Sequence, residues 1–183
     1  LPRIYTLFPY TTLFRSDKRF IPEIKNDHKQ KIAIIGGGPS GLSCAYYLAV
    51  EGYKITVFEK EKELGGMLRY GIPAFRLQRD VIKAEIDVLK ELGVTFKTGV
   101  EVGEDVTIPQ LRTQGFKAFY TSIGAQKGRK ISLEGEEASN VITGVDFLRA
   151  SSLNAFDTDL GKTIVIGGGN VAIDVARTAL RLK

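Results

Sequence analysis

A glycine-rich turn stands between two apolar segments early in the chain. The turn Gly36–Gly41 (GGGPSG) follows the run Lys31–Ile35 and precedes the alanine-rich segment Leu42–Val50. An apolar run that ends at glycine is typical of a strand buried on both faces of a parallel sheet. Gly52 is expected to end the helical segment, and the β-branched run 53–59 predicts a second strand. The order strand, glycine turn, helix and strand predicts a dinucleotide-binding unit.

Each glycine of this turn has a physical role in such a unit. Gly36 permits the tight turn, Gly38 lets the backbone approach a pyrophosphate, and Gly41 lets the helix pack closely on the strand. Glu59 ends the second strand, 23 residues after Gly36, where a carboxylate accepts the ribose hydroxyl protons. A glycine turn that binds no ligand is the structural alternative.

A second turn of the same kind occurs near the end of the sequence. It follows the apolar run Thr163–Ile166 and reads GGGNVA at 167–172, which is the variant with alanine in the last position. The segment 171–182 predicts the helix that follows. Two such turns indicate two cofactor pockets with hydride passing between them. A single-cofactor flavin oxidase or monooxygenase is an alternative that the second turn disfavours.

Four stretches carry a family resemblance: KIAIIGGGPSGLSCAYYLA, VFEKEKELGGMLRYGIPAFRL, VITGVDFL and TIVIGGGNVAIDVARTALRL. The chain resembles the two-dinucleotide-binding flavoprotein superfamily over residues 30–183. Within it, the chain is most similar to the branch of the glutamate synthase small subunit, the dihydropyrimidine dehydrogenase flavin domain and the NADPH-side subunit of bifurcating transhydrogenases. The Gly-Ile-Pro-x-x-Arg-Leu of 71–77 is a mark of that branch.

The resemblance implies that FAD binds along the first unit. Two of the implied contacts have alternatives, because Arg76 could form a surface ion pair with Asp80, and Gly124 could be a plain turn after a core strand. The chain departs from the branch at Gln78, where proline is usual and would start the next helix better. The implied FAD contacts are Gly36, Gly37, Gly38, Pro39, Ser40, Gly41, Glu59, Lys60, Gly66, Met67, Arg76, Val102 and Gly124.

The resemblance also implies that NADH or NADPH binds at the second turn, with Asn170 at the mouth of the site. We expect this unit to be cut off before its second strand, where an acidic residue would select NADH or an arginine would select NADPH. The implied contacts are Gly167, Gly169, Asn170, Val171 and Ala172.

The remaining pattern completes the predicted organisation. Apolar spacing predicts a helix over 81–92 and a short helix over 108–114, and two further runs predict strands at 94–100 and 118–125. The predicted fold is α/β, a Rossmann-like FAD-binding parallel sheet followed by the start of a second Rossmann-like NAD(P)-binding domain. The expected segments are a linker at 17–30, the N-terminal part of the FAD-binding domain at 31–150, a linker at 151–161, and a truncated NAD(P)-binding domain at 162–183.

Residues 1–16 differ in composition from the rest of the sequence. They contain four aromatic residues and no acidic residue. We expect them to be a non-native leader, with a short native extension as the alternative. The only methionine is Met67, so we also expect the chain to be part of a longer protein. His28, in the predicted linker, is expected to be solvated rather than catalytic.

Composition excludes several classes of function. The one cysteine, Cys44, excludes a disulfide scaffold, an iron–sulfur cluster held by this chain alone, and the cysteine pair of disulfide reductases. No apolar run approaches the roughly 20 residues of a membrane span. The net charge of +5 comes without a basic stripe, so a nucleic-acid partner is not expected.

The predicted function is an FAD-dependent NAD(P)H oxidoreductase module of the cytoplasm. Electrons would pass onward to an iron–sulfur domain or partner subunit outside this chain. Because the cofactors perform hydride transfer themselves, we predict no catalytic side chain and no metal ligand. The non-catalytic alternative is a dinucleotide-binding or subunit-interaction module.

Overall fold

A computed structural model describes residues 21–156 and 160–182, which form two compact units. The first comprises the described residues up to Gly66 together with Gln78–Gly124, and the second comprises Met67–Leu77 together with the described residues from Ala125 onward. The units therefore interleave along the sequence, whereas the predicted domains 31–150 and 162–183 follow one another. The predicted leader, 1–16, lies outside the described residues.

Ten helices and strands are assigned within these ranges. In chain order they are β1 (Lys31–Ile35), α1 (Pro39–Val50), β2 (Lys54–Glu59), α2 (Met67–Tyr70), α3 (Arg79–Glu91), β3 (Thr95–Thr98), α4 (Ile108–Thr113), β4 (Phe116–Thr121), α5 (Gly144–Ser152) and α6 (Asn170–Ala179).

The four strands form one parallel sheet in the order β3-β2-β1-β4. The central strand is β1, and its last residue, Ile35, lies opposite Phe58 of β2 and Thr121 of β4. This strand order, with helices connecting parallel strands, is that of a Rossmann fold. The predicted α/β fold with a Rossmann-like sheet is confirmed. The ends of β1, β2 and β4 meet at one edge of the sheet, where the first glycine turn begins.

The core of the first unit lies between this sheet and its helices. Ile34, Leu42, Val57 and Leu89 are fully buried and come from β1, α1, β2 and α3. Burying one such side chain contributes roughly 1.5–3 kcal/mol. The core therefore fixes the positions of the first strand, the first helix and the turn between them.

The boundaries of two strands and one helix differ from the predictions. β4 begins at Phe116, two residues before the predicted start, since Phe116 pairs with Lys31 of β1. β3 covers only Thr95–Thr98 of the predicted 94–100. α3 begins directly after Gln78, whose backbone is extended, so glutamine supports the helix start without proline.

The described part of the predicted linker, 21–30, is irregular but attached to the first unit. The His28 ring stacks on Tyr53 with 4.3 Å between centroids, and the His28 N–H donates to the carbonyl of Gly52. The ring is half-buried, because this stacking covers one of its faces, so the expected solvation of His28 is only partial. Asp27 bonds Lys29 and Lys54, and these ammonium groups lower the pKa of Asp27 to about 2.

In the second unit, α5 and α6 pack on each other. Phe147 and Leu148 of α5 form a buried cluster with Val175 and Ala179 of α6. Close packing is possible because Gly144 has no side chain; a Cβ there would lie 3.0 Å from Val171. The last two residues of α5 occupy the first two positions of the predicted linker 151–161.

The predicted strand at Thr163–Ile166 is not formed. Ile164 is 89% exposed and Ile166 is 72% exposed, and the described residues of the second unit contain no strand that could pair with this segment. An unpaired strand leaves its backbone N–H and C=O groups without partners, so apolar composition alone does not hold it extended.

Hydrogen exchange should reveal this difference between the two apolar runs. In the 183-residue chain, we expect amides at 163–166 to exchange nearly as fast as an unfolded peptide, and amides of Lys31–Ile35 to be strongly protected. The reason is that β1 is hydrogen-bonded on both sides, whereas no strand among the described residues pairs with 163–166. Mass spectrometry of exchanged peptides would measure it, and equal protection of the two runs would contradict it.

Candidate functional site

The first glycine turn is closed by contacts that exclude side chains at two positions. Gly36 has φ of +107°, and a Cβ there would lie 2.3 Å from the Ser122 carbonyl oxygen. A Cβ on Gly41 would lie 2.0 Å from the Gly36 carbonyl oxygen. The geometry agrees with the roles expected of these two glycines in turn formation and close helix packing.

Gly38 differs from these two glycines because the space in front of it is open. Its backbone is extended, with φ of −78° and ψ of −178°, and a Cβ would meet only the Gly66 Cα, at 3.9 Å. Gly38 is also the N-cap of α1 and provides no side-chain cap. The first N–H groups of this helix thus remain as donors beside an open backbone, which is the arrangement that binds a phosphate group.

Glu59 connects the end of β2 to the turn. It is buried, its Oε2 accepts from the Gly37 N–H at 2.6 Å, and its Oε1 accepts from the Glu61 N–H at 2.9 Å. A carboxylate oxygen has two lone pairs, so each oxygen can accept one further hydrogen bond. Sequence reasoning predicted only the ribose contact and missed this structural role. The position of Glu59 at the end of β2, the strand beside β1, was the signal that could have indicated it.

The Gly65–Gly66 loop lies against the same turn. The Gly65 N–H donates to the Gly37 carbonyl at 2.8 Å, and a Cβ on Gly66 would lie 2.9 Å from the Gly38 Cα. Gly66 also has φ of +52°. The glycine pair is therefore required for the loop to approach the turn, while Lys60, between Glu59 and this loop, is exposed.

Two residues of β4 and its end contact the turn and were not predicted. The Ser122 hydroxyl donates to the carbonyls of Ile35 and Gly36, both at 3.0 Å. The Tyr120 hydroxyl lies 3.0 Å from the Ser40 hydroxyl, at the beginning of α1 where Pro39 is the first residue. Only the pairing of β4 beside β1 brings them there.

Two of the implied FAD contacts lie in different surroundings. Val102 is half-buried and packs on a cluster that includes Leu111 and Phe116, which accounts for an apolar residue at that position. Gly124 has φ of +73° with open space around it, and it is the last residue of the first unit. Both remain predictions as cofactor contacts.

The second glycine turn repeats the backbone of the first. Gly167 has φ of +129°, and Gly169 is the uncapped N-cap of α6 with φ of −80° and ψ of 175°. Cβ atoms on Gly168 and Gly169 would have nothing within 4 Å. Asn170 begins the helix, and the methyl group of Ala172 would lie 3.4 Å from a Cβ on Gly167. The turn fits a phosphate group as the first one does.

Met67 and Arg76 belong to the second unit. Met67 is the first residue of α2, and its side chain fills the space beside Gly71, where a Cβ would lie 2.2 Å from the Met67 Cε. Arg76 forms an ion pair with Asp174 of α6 at 2.8 Å. The predicted alternative of a surface pair with Asp80 is wrong, because Asp174 supplies a buried carboxylate that sequence spacing did not reveal.

Comparison with known proteins identifies the family. The model of the pyridine nucleotide-disulphide oxidoreductases matches residues 30–183. The chain belongs to this family. Both glycine turns lie within the matched residues.

Two relatives of the chain agree with the resemblance stated above. The chain is 37% identical to the small chain of glutamate synthase [NADPH] from Bacillus subtilis (strain 168), over 84% of this chain and 33% of that one. It is 42% identical to the PreT subunit of NAD-dependent dihydropyrimidine dehydrogenase from Escherichia coli (strain K12), over 81% and 35%. The predicted branch of the family is confirmed.

A solved structure supports the fold of the chain. FprA from Mycobacterium tuberculosis in complex with NADPH superimposes with a TM-score of 0.70 at 28% identity, over 82% of this chain and 36% of that one. The chain spans 22% to 36% of the length of the curated relatives that it matches. Both relatives above are named as one chain or subunit of an enzyme.

Two further properties of the chain follow from the structure. Cys44, its one cysteine, is half-buried in α1, and burial raises the pKa of the thiol. Across residues 21–156 and 160–182, the helices are all too short or too polar to traverse a lipid bilayer.

Proposed function

We propose that the chain binds FAD at the first glycine turn and NADH or NADPH at the second, and that hydride passes between them. The observation that carries the proposal is the repeated backbone. Gly38 and Gly169 are both helix N-caps without a side-chain cap, and their φ and ψ angles are nearly equal. A Cβ on Gly38 would have its nearest neighbour at 3.9 Å, and a Cβ on Gly169 would have none within 4 Å. Each turn presents helix N–H donors and the positive end of a helix dipole to a pyrophosphate.

The first unit supplies the groups that FAD requires. Backbone N–H groups after Gly38 would hold the pyrophosphate, and the two remaining lone pairs of Glu59 would accept the ribose hydroxyl protons. Gly66 keeps the backbone beside the turn clear of side chains. Arg76 belongs to the second unit, where its side chain is 44% exposed, and it stays a prediction as a cofactor contact.

The second unit supplies the groups that the nicotinamide nucleotide requires. Its pyrophosphate would lie on Gly167 and Gly169, with Asn170 and Val171 at the start of α6. When bound, the nicotinamide and flavin rings supply the hydride-transfer chemistry themselves. The protein's part is to hold and orient them and to exclude water, so no side chain has to act as a general base.

The wider setting is also part of the proposal. We infer that electrons leave toward an iron–sulfur domain or a partner subunit, because the chain resembles subunits of larger oxidoreductases. A cytoplasmic location and the domain limits 31–150 and 162–183 stay predictions. The second turn disfavours a single-cofactor flavin oxidase. The experiment below distinguishes the proposed enzyme from a non-catalytic dinucleotide-binding or subunit-interaction module.

Anaerobic reduction tests the proposal. The natural protein carrying this chain is purified, its flavin is identified after release, and NADPH or NADH is added without oxygen. We expect bound FAD and loss of the oxidised flavin absorbance with at least one nucleotide. Bound FAD that neither nucleotide reduces would indicate a single-cofactor enzyme. Absence of both FAD and nucleotide binding would contradict the proposal altogether.

A further inference from the structure

An open concavity of about 320 Å³ lies on the first unit, where the strands of its sheet begin. Lys31, Lys54 and Thr95 are the first residues of β1, β2 and β3, and all three line it together with Lys97. The first glycine turn follows the other end of β1, so this lysine concavity and the turn lie at opposite edges of the sheet. Its volume is within the range of sites that bind small molecules.

Strand pairing places the three lysines of the concavity on one face of the sheet. Lys31 lies directly opposite Lys54 in the register of β1 and β2. Lys97 lies opposite Phe58 of β2, and its Nζ is 5.6 Å from the centroid of the Phe58 ring. Side chains alternate along a strand, so Lys54 and Phe58 point to the same face. Like charges directly opposite each other destabilise a sheet, so a counter-charge at this cluster would be stabilising.

The described residues supply only part of that counter-charge. Lys54 forms an ion pair with Asp27 at 3.0 Å, and Asp27 also bonds Lys29. Lys31 and Lys97 have no carboxylate within ion-pair distance in the part of the chain that the structure describes. Two exposed positive charges therefore stay uncompensated beside the concavity.

We propose that the lysine concavity binds a dianionic phosphate group, either free or on a phosphate ester. A phosphate ester carries a charge of about −1.5 to −2 at pH 7, which balances the ammonium groups of Lys31 and Lys97. Each ammonium group offers three N–H donors to the phosphate oxygens. Thr56 and Thr95 lie opposite each other on neighbouring strands and line the same concavity, so their hydroxyls add neutral donors. This site does not depend on cofactor binding at the glycine turns.

A rival explanation is that the lysines only stabilise helix ends. Lys31 Nζ donates to the carbonyl of Gln114, the C-cap of α4, at 3.4 Å, and a cation near a helix C-terminus is favourable. This explanation accounts for Lys31 but not for Lys97, whose Nζ lies over an aromatic ring. Lys97 is therefore the residue that separates the two explanations.

Isothermal calorimetry of inorganic phosphate binding to the natural protein tests the site. The matched control is Lys117→Gln, because Lys117 is exposed on β4 and does not line the concavity. We expect a saturable component that Lys97→Gln weakens about tenfold, the scale of a hydrogen bond to a charged group. Asp27→Asn should strengthen this component by up to about fivefold, the scale of an exposed ion pair, because it releases Lys54. Unfolding without phosphate should be unchanged in Lys97→Gln, since the side chain is exposed.

A second titration with glycerol phosphate distinguishes the two sources of the phosphate group. Tighter binding of glycerol phosphate would identify an ester as the ligand, and tighter binding of inorganic phosphate would identify the free ion.

Other outcomes overturn the proposal. Equal losses from Lys97→Gln and Lys117→Gln would show a general effect of charge. Binding that neither change weakens would place the phosphate elsewhere, such as at a glycine turn. Absence of saturable binding, or a Lys97→Gln protein that is less stable without phosphate, would leave the lysines with a structural role only.

Discussion

Gly41→Ala is expected to destabilise the first unit by at least about 1–3 kcal/mol, the usual cost of overpacking a core. Alanine is the better helix former, so the loss must come from crowding. The added Cβ would lie 2.0 Å from the Gly36 carbonyl oxygen and 2.7 Å from the Ser122 hydroxyl oxygen. The first is a backbone atom of the turn, so α1 would have to move away from β1.

Denaturant unfolding of the FAD-free protein would measure this effect. Gly38→Ala is the matched control in the same turn, because its Cβ meets only the Gly66 Cα, at 3.9 Å, in a backbone conformation that alanine adopts. A Gly41→Ala protein as stable as the Gly38→Ala protein would show that α1 is not packed closely against the turn.

Glu59→Ala is expected to weaken FAD binding by about 1–3 kcal/mol, since the ribose hydroxyls would lose their acceptor. The buried Gly37 N–H would lose its acceptor as well, which should reduce the free energy of unfolding by a similar amount. Glu59→Gln keeps one acceptor oxygen and should fall between the wild type and Glu59→Ala in both measurements.

The two effects of Glu59 are measured separately. FAD titration reports the ribose contact, and unfolding without FAD reports the turn. Glu104→Ala, at an exposed acidic residue, serves as the control for loss of one negative charge. Unchanged FAD affinity in the Glu59→Ala protein would exclude the ribose role and leave Glu59 as a residue of the turn.

The parts predicted from sequence are those that local chemistry determines. The apolar run of β1, the glycine turn and α1 were predictable because burial and tight backbone geometry both restrict which residues can stand there. The parallel sheet followed, since Rossmann-type units place β2 beside β1. The position of Glu59 at the end of β2 was predictable for the same reason.

The missed features depend on residues distant in sequence. Ser122 and Tyr120 contact the turn only because β4 pairs with β1, and Asp174 reaches Arg76 across 98 positions. The segment 163–166 shows the reverse error, a predicted strand that the structure does not form. Its composition predicts a strand, but a strand forms only when a neighbour pairs with it, and the described residues of its unit provide none.

The central claim is that the first glycine turn holds the pyrophosphate of FAD. Gly38→Ala tests it most directly, because the added methyl group would occupy space that the fold leaves open but the cofactor needs. We predict unchanged unfolding of the FAD-free protein and FAD affinity reduced by about 1–3 kcal/mol, or roughly 5- to 150-fold. Gly169→Ala, the equivalent change at the second turn, should leave FAD affinity unchanged. FAD binding as tight in the Gly38→Ala protein as in the wild type would contradict the claim.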